Sequence, residues 1–351
     1  MTPSAPSWFA PTLSALLDRR DLSPMHMCQL MHDILNGACG ELETAALLVA
    51  LHMKGETPEE LAAAAAVLRE YCVPLAAGRD DVLDTCGTGG DGSCTFNIST
   101  ATALVAAGAG VPVVKHGNRA MSSRSGSADV LAALGVRVEL DGKAARECLD
   151  RAGMTFCLAP HFHPRMSHVG AVRRRLGVRT LFNCLGPLAN PAGAAYQLLG
   201  VGRPEWLDRL AAALGRLGVR RALLVCGRDG LDEVSLSGPT LVREVTGGEV
   251  REHEWTPEDF RLAPCRLEDL RVEGPEQSAA VIRAVLSGEE GPARRIVLAN
   301  AAAALVAAEK VISLPEGVAR AAESIASGRA ARVLADLVAL SQSLSNAKGN
   351  C

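Results

Sequence analysis

Between Leu83 and Asp129 the chain carries two glycine- and serine-rich loops: LDTCGTGGDGSCTFNIST and, after an Ala-rich apolar run, VPVVKHGNRAMSSRSGSAD. Each follows a short apolar run and each opens a helix-like segment. The first N–H groups of a helix have no partner inside it, and the helix dipole adds to their attraction for an anion. Glycine lets the backbone approach such a ligand and take a positive φ. The first loop offers Gly87, Thr88, Gly89, Gly90 and Asp91, with Asn97, Ser99 and Thr100 at the next helix start. The second offers Lys115 after the VPVV run, and Ser122, Ser123 and Ser127 before a helix. GTGGD alone is an ordinary glycine turn. Two such loops on neighbouring strands fit a diphosphate better than a single phosphate. Neither matches the G-x-G-x-x-G dinucleotide pattern or the P-loop.

Other chemistry-bearing groups lie further on. GRDGLDEVSLSG follows the RALLVCG strand and puts Asp232 and Glu233 side by side at a strand end. Magnesium takes oxygen ligands and is commonly held by one or two carboxylates plus substrate phosphates. Beside phosphate loops, this pair is a candidate cation site and not merely an acidic turn. RRRLGVRTLFN concentrates Arg173, Arg174, Arg175 and Arg179 near a predicted helix end. Most such clusters are solvated, but one arginine could clamp a carboxylate in bidentate fashion. His116 and His163 are read as structural in the first instance, and His161 and His168 pair with no Cys or Glu cluster.

Composition narrows the classes. Over 351 residues, 48% hydrophobic and 21% charged, the chain can bury a sizeable core. A net charge of −3 and only 3% aromatics argue against a nucleic-acid binder, which needs a basic face and stacking rings. The 11 cysteines form no C-x-x-C pair and read as reduced cytosolic thiols, with Cys86 and Cys94 structural. Met1–Arg19 lacks the basic start and apolar core of a secretory signal. Apolar runs near Ala101–Val114 and Ala299–Ala308 are too short or too interrupted to span a bilayer. A cytoplasmic protein with no membrane partner is expected.

The elements that must hold these groups are also legible. Up to about Ala77 the pattern is helical. Ser23-Pro24 is an N-cap with proline at the first helical position, Met27, Leu30, Met31, Ile34 and Leu35 share a face, and Gly37 is a stop. A helix over Glu41–Lys54 ends at Gly55, and Thr57-Pro58-Glu59-Glu60 is a capping box for another. From Val82, strands alternate with helices: VLDTCG, helix Ile98–Ala107, VPVVKHG, helix Ala128–Leu134, VRVEL, helix Gly142–Ala152, and TFCLAP. His163–Arg175 reads as helix, FNCLGPLANP as loop, YQLLGVG and RALLVCG as strands, TLVREV and VREHEW as an antiparallel pair, and Gln277–Leu344 as mostly helical. The fold class expected is α/β: a large domain with a mostly parallel sheet flanked by helices, plus a small all-helical domain. Chemistry then belongs at the carboxyl ends of the strands.

Taken together, D-x-x-GTGGD, N-x-ST, KHGN, SS-x-x-GSAD, HP-x-M, RR-x-LG-x-RT-x-FN-x-LGPL-x-NP and the late Asp-Glu pair resemble the anthranilate phosphoribosyltransferase family over nearly the whole chain. The resemblance implies transfer of a phosphoribosyl group from phosphoribosyl pyrophosphate to the amine of anthranilate, in tryptophan biosynthesis. It implies a nucleoside phosphorylase/phosphoribosyltransferase-like fold with a discontinuous helical domain, here 1–77 joined by part of 163–190, and a large domain over 78–351. It also implies Mg2+ and a homodimer formed through the helical domain. Residue by residue, it assigns Gly87, Thr88, Gly89, Gly90, Asp91, Thr95, Asn97, Ser99, Thr100, Lys115 and Ser127 to phosphoribosyl pyrophosphate. Anthranilate falls to Gly87, Asn118, His163 and Arg173, and the metal to Ser99, Asp232 and Glu233. Lys115, His116, Asn118 and Arg173 carry the catalytic roles, His116-Gly117-Asn118 lying between donor and acceptor. Where the family has a small residue in HP-x-M, this chain has Arg165, expected to narrow or recharge the acceptor entrance. The enzymatic alternative is a nucleoside phosphorylase on the same fold. The non-enzymatic one is a nucleic-acid-binding paralogue.

Overall fold

The computed structural model describes residues 6–120 and 125–346. Seven strands form one sheet: β1 (Leu83–Gly87), β2 (Val113–Gly117), β3 (Met154–Leu158), β4 (Tyr196–Gly200), β5 (Arg221–Gly227), β6 (Thr240–Thr246) and β7 (Glu249–Trp255), in the order β3-β2-β1-β4-β5-β6-β7. The first five are parallel, while β5–β6 and β6–β7 pair antiparallel. Helices cover both faces of the central strands, so β1 to β4 are buried nearly throughout, polar Asp84, Thr85, Lys115, His116, Thr155 and Gln197 included. From β1 the chain winds outward to β2 and β3, then returns to β4 on the other side. Strand order therefore reverses between β1 and β4, whose last residues, Gly87 and Gly200, face each other in register. Such a switch point opens a crevice at the strand ends.

The helical part begins with Phe9–Leu17, Pro24–Leu35, Glu41–Lys54 and Pro58–Glu70. Ser23 Oγ accepts from His26 N at 3.3 Å, and the five apolar residues of that helix face are all buried. At Thr57 the capping box is complete, with Glu60 N donating to Thr57 Oγ1 and Thr57 N to Glu60 Oε2. Glu60 is fully buried and also takes Leu22 N and Lys54 Nζ, each at 2.8 Å, so one capping residue ties three segments together. Ser167–Leu176 packs on the helices Pro24–Leu35 and Glu41–Lys54, and Phe182–Leu188 packs on Pro58–Glu70. Val169, Val172, Leu181, Phe182 and Leu185 thereby join the core of the N-terminal helices. Each such burial contributes roughly 1.5–3 kcal/mol.

Two expected elements differ. VRVEL forms no strand: Val136, Val138 and Leu140 are buried and Arg137 and Glu139 exposed, but the segment pairs with no strand, and Arg137 N donates to Ser341 Oγ instead. Alternation records a buried side and does not require a pairing partner. FNCLGPLANP is a short helix over Phe182–Leu188, despite Pro187 inside it. Burial of Phe182, Cys184, Leu185 and Leu188 outweighs the poor helix propensity of Gly186-Pro187. The ten cysteines among the described residues are free thiols.

Candidate active site

A cavity of about 620 Å3 lies over the carboxyl ends of β1 and β2 and is closed by the Ala159–Pro187 region. It gathers Gly87, Thr88, Gly89, Gly90, Asp91, Thr95, Asn97, Ser99, Lys115, His116, Asn118, Ser127, His163, Arg173, Asp232 and Glu233 into one wall. Thr100 is the exception. Its side chain is buried inside the helix Ile98–Gly108, and only its N–H serves the site, by donating to Asn97 Oδ1 at 3.0 Å. Ser122 and Ser123 lie outside the described residues. Arg165 also misses the cavity. Successive residues of a 3-10 turn point roughly 120° apart, so Pro164 and Met166 line the wall while the Arg165 guanidinium stacks over Tyr71, 5.4 Å from the ring centre.

One end of the cavity is acidic. Asp232 sits where two glycines leave room: a Cβ on Gly87 would lie 2.8 Å from Asp232 Oδ2, and one on Gly200 would collide with the Asp232 carbonyl. Asp232 Oδ2 accepts from Gly89 N at 3.0 Å, so the loop and the carboxylate fix each other. Burial, with Asp91 and Glu233 close by, holds the Asp232 carboxyl well above its ordinary range. Glu233 is pushed up to about 8 by burial, partly offset by Lys115. Asp91 Oδ2 is buried with no donor. Asn300, fully buried, grips Val234 through both N–H and C=O (2.9 and 3.0 Å) and so sets where Glu233 lies.

Lys115 stands between these acids and the sheet. It is 1% exposed, and Nζ donates to Ser99 Oγ at 3.1 Å and to the Thr85 carbonyl. Ser99 Oγ in turn donates to Asn97 Oδ1 at 3.3 Å. Burial lowers the Lys115 pKa, opposed by Asp84, Cys86, Glu233 and Asp232. Asp84 beneath it takes His116 N (3.2 Å) and Asn190 Nδ2 (2.8 Å), and burial raises its carboxyl to about 6.

The other end is neutral to basic, and the short helix Phe182–Leu188 builds it. Helix C-termini leave carbonyls without partners. Here four in a row are taken by side chains: Gly186 by His116 Nδ1 (3.1 Å), Pro187 by Gln197 Nε2 (2.6 Å), Leu188 by Arg69 Nε (2.8 Å) and Ala189 by His163 Nε2 (2.9 Å). A carbonyl only accepts, so the His116 proton rests on Nδ1 and Nε2 presents a lone pair. That Nε2 is buried with no partner. Burial, with His163 and Lys115 nearby, drops the His116 pKa to about 3, so the ring is neutral. The two imidazole centres lie 5.0 Å apart. Arg173 reaches the same end from the helix Ser167–Leu176, its guanidinium 5.6 Å from the Phe182 ring centre. No carboxylate pairs with it among the described residues, and burial lowers its pKa. A desolvated, unpaired guanidinium is an anion site in waiting.

Residue reasoning missed three supports. Arg179 donates to the carbonyls of Gly89 (2.9 Å) and Thr88 (3.4 Å). Asp84 and Asn190 lie in quoted motifs, D-x-x-GTGGD and LGPL-x-NP, but nothing in their spacing announces that they meet. Only long-range contacts, 90 residues apart for Arg179 and 106 for Asp84–Asn190, reveal them.

Comparison with known proteins agrees with this architecture. Residues 79–331 match the model of the "Glycosyl transferase family, a/b domain" and 10–72 that of the "Glycosyl transferase family, helical bundle domain". The chain is 49% identical over 332 residues to the anthranilate phosphoribosyltransferase of Chloroflexus aurantiacus, covering 94% of this chain and 98% of that one. It is 47% identical over 334 residues to that of Chromobacterium violaceum, covering 95% and 97%. The crystal structure of the Thermus thermophilus enzyme superposes with a TM-score of 0.89 at 46% identity, covering 94% and 99%. The Saccharomyces cerevisiae enzyme in complex with PRPP and Mg does so with 0.89 at 29% identity, covering 97% and 99%. A small helical domain on a mostly parallel α/β domain, with a cavity that brings carboxylates, a buried lysine and arginines together, is thus set in a chain that matches these enzymes along nearly its full length: the chain belongs to the anthranilate phosphoribosyltransferase family.

Proposed function

We propose that the chain transfers the phosphoribosyl group of phosphoribosyl pyrophosphate to the amine of anthranilate, giving N-phosphoribosyl anthranilate and pyrophosphate. The observation that carries this reading is the make-up of the site over β1 and β2. It gathers the unpaired Arg173 guanidinium and the neutral His116 ring in one cavity with Lys115, the glycine loop and the Asp232–Glu233 pair. Arg173 takes the acceptor's carboxylate. The bare Nε2 of His116 accepts an N–H of the amine. An aromatic amine is already neutral, so it needs no strong base, and a histidine this hard to protonate is none. The C1–O bond to pyrophosphate breaks while the N–C1 bond forms on the opposite face, and the now cationic, strongly acidic nitrogen gives up one proton to the departing pyrophosphate. Lys115 and the loop N–H groups offset the charge developing on the leaving group, and positioning supplies the rest.

The residues present fit Mg2+. Asp91 Oδ2 is buried with no hydrogen-bond partner, and Asp232 and Glu233 crowd close to it so that burial and mutual repulsion push their carboxyls up, a strain that a cation would relieve. Among the described residues no three His, Cys, Asp or Glu side chains close into a protein-only cage. That suits an ion held by Ser99, Asp232 and Glu233 together with substrate oxygens. When bound, Mg2+ neutralises pyrophosphate charge.

We place the small domain at 1–77 with part of 163–190 and the large domain at 78–351, following the packing of the two returning helices. A homodimer through the helical domain would cover Leu17, Met25, Leu42 and Met53, which are 68–78% exposed there. No helix among the described residues is long and apolar enough to cross a membrane, and we assign the enzyme to the cytoplasm. Loss of anthranilate fluorescence with phosphoribosyl pyrophosphate and Mg2+ tests the reaction. No loss, or phosphorolysis of thymidine or uridine instead, would overturn it.

A further inference from the structure

We infer that Arg179 is a positioning residue that sets the conformation of the donor loop from the returning segment. The inference rests on the reading of that loop as the pyrophosphate site. Arg179 lies after the helix Ser167–Leu176, across Gly177 (φ +64°), on the same segment that carries Arg173. Its two terminal nitrogens donate to successive loop carbonyls, Nη1 to Gly89 at 2.9 Å and Nη2 to Thr88 at 3.4 Å. No carboxylate pairs with it among the described residues, so the loop backbone is its partner. The loop is shaped around it. Gly90 has φ +77°, and a Cβ there would collide with Arg179 Nη1.

The loop is thus gripped from two sides. Asp232 Oδ2 takes the Gly89 N–H at 3.0 Å, and Arg179 takes the Gly89 carbonyl. Thr88 is held by three bonds: its N donates to the Gly200 carbonyl (2.9 Å), its hydroxyl accepts Gly202 N (3.1 Å), and its carbonyl accepts Arg179. Fixing the peptide planes of residues 88 and 89 leaves the N–H of Gly90, the next donor along, with a set direction. A planar fork is suited to this because it engages two carbonyls at once, whereas an ammonium is a point charge. Arg179 acts through the loop and not by touching anthranilate. Because Arg173 sits six positions earlier on the same segment, it also fixes the distance between donor loop and acceptor arginine.

The test compares wild-type protein, Arg179→Ala, Arg179→Lys, Gly90→Ala and Arg179→Ala/Gly90→Ala. Calorimetric binding of phosphoribosyl pyrophosphate with Mg2+, without acceptor, is read alongside steady-state kinetics and thermal midpoints. Wild-type protein that binds no donor would overturn the functional reading itself, separately from this inference. With donor binding intact in wild type, Arg179→Ala is expected to weaken it at least tenfold. It should leave the KM for anthranilate at saturating donor within twofold. Arg179→Lys should recover part of the loss. Gly90→Ala should cost more in the wild-type background than in Arg179→Ala, because the collision exists only when the guanidinium is present. Unchanged donor binding in Arg179→Ala, a rise confined to the anthranilate KM, additive effects of the two substitutions, or a uniform loss that tracks a lowered thermal midpoint would each overturn the inference.

Discussion

Replacing Arg173 by Met probes the acceptor end most directly. Methionine keeps an unbranched chain against Phe182, whose ring centre lies 5.6 Å from the guanidinium, and removes only the charge and its donors. In the free protein that charge has no carboxylate partner among the described residues, and burial already lowers its pKa, so folding bears the desolvation. The variant should therefore be no less stable than wild type, and its thermal midpoint should hold or rise. With anthranilate bound the balance reverses. A charge-assisted hydrogen bond contributes roughly 1.5–3 kcal/mol, which at about 1.4 kcal/mol per tenfold predicts a rise of about 10- to 140-fold in the anthranilate KM. The KM for phosphoribosyl pyrophosphate should move little, since the loop is held by Asp232, Gly200, Gly202 and Arg179 and not by Arg173. Aniline, which lacks the carboxylate, closes a cycle: wild type and Arg173→Met should use it equally poorly. Fluorescence-monitored turnover of anthranilate and chromatographic detection of the aniline product supply both arms. If the variant still prefers anthranilate over aniline as strongly as wild type does, Arg173 is not the carboxylate site.

Three further outcomes follow from the same geometry. Asp232→Asn/Glu233→Gln should abolish both activity and the rise in thermal midpoint expected of the wild-type protein with Mg2+ and phosphoribosyl pyrophosphate; a variant that keeps either response removes these residues from the metal site. His116, at about 3 in the fold against an ordinary value of about 6.5, is favoured neutral by folding. Its contribution is complete above about pH 6.5 and lost as pH falls toward 3, so His116→Asn should flatten the acid side of the stability profile, and parallel curves for the two proteins would sink the assignment. Asn300→Leu strips the partners from Val234 N–H and C=O. It should lower stability by about 2–4 kcal/mol in urea titration and weaken Mg2+ activation, since the segment bearing Glu233 loses its anchor. Unchanged Mg2+ activation would show that Glu233 is held by other means.

Local signals settled much of this molecule from residue types alone. The Ser23 cap, the Thr57–Glu60 capping box and the helix stops at Gly37 and Gly55 all depend on neighbours within a few positions, so their spacing was enough to locate them. The glycine loops were legible for the same reason: positive φ at Gly89 and Gly90 is a local demand. So was the parallel sheet, because strands that alternate with helices along the chain leave room for the crossovers that parallel pairing needs. VRVEL and FNCLGPLANP were misread because the deciding influence was not local. The first has an alternating pattern and no strand to pair with, and the second is a poor helix sequence made helical by burial.

The site itself was legible as a set of residues but not as a mechanism. Whether Arg173 would be a solvated surface charge or a half-buried unpaired one depends on what packs around its helix. Whether His116 would be charged depends on a carbonyl 70 positions away, exposed by the end of a helix that the residues did not forecast. Arg179, Asp84 and Asn190 carry ordinary side chains whose partners lie across the fold. Sequence alone named the groups to expect at a site for a diphosphate, a cation and a carboxylate. Only the tertiary structure decided their charge states and separations, because desolvation and long-range hydrogen bonding exist only once distant segments have packed.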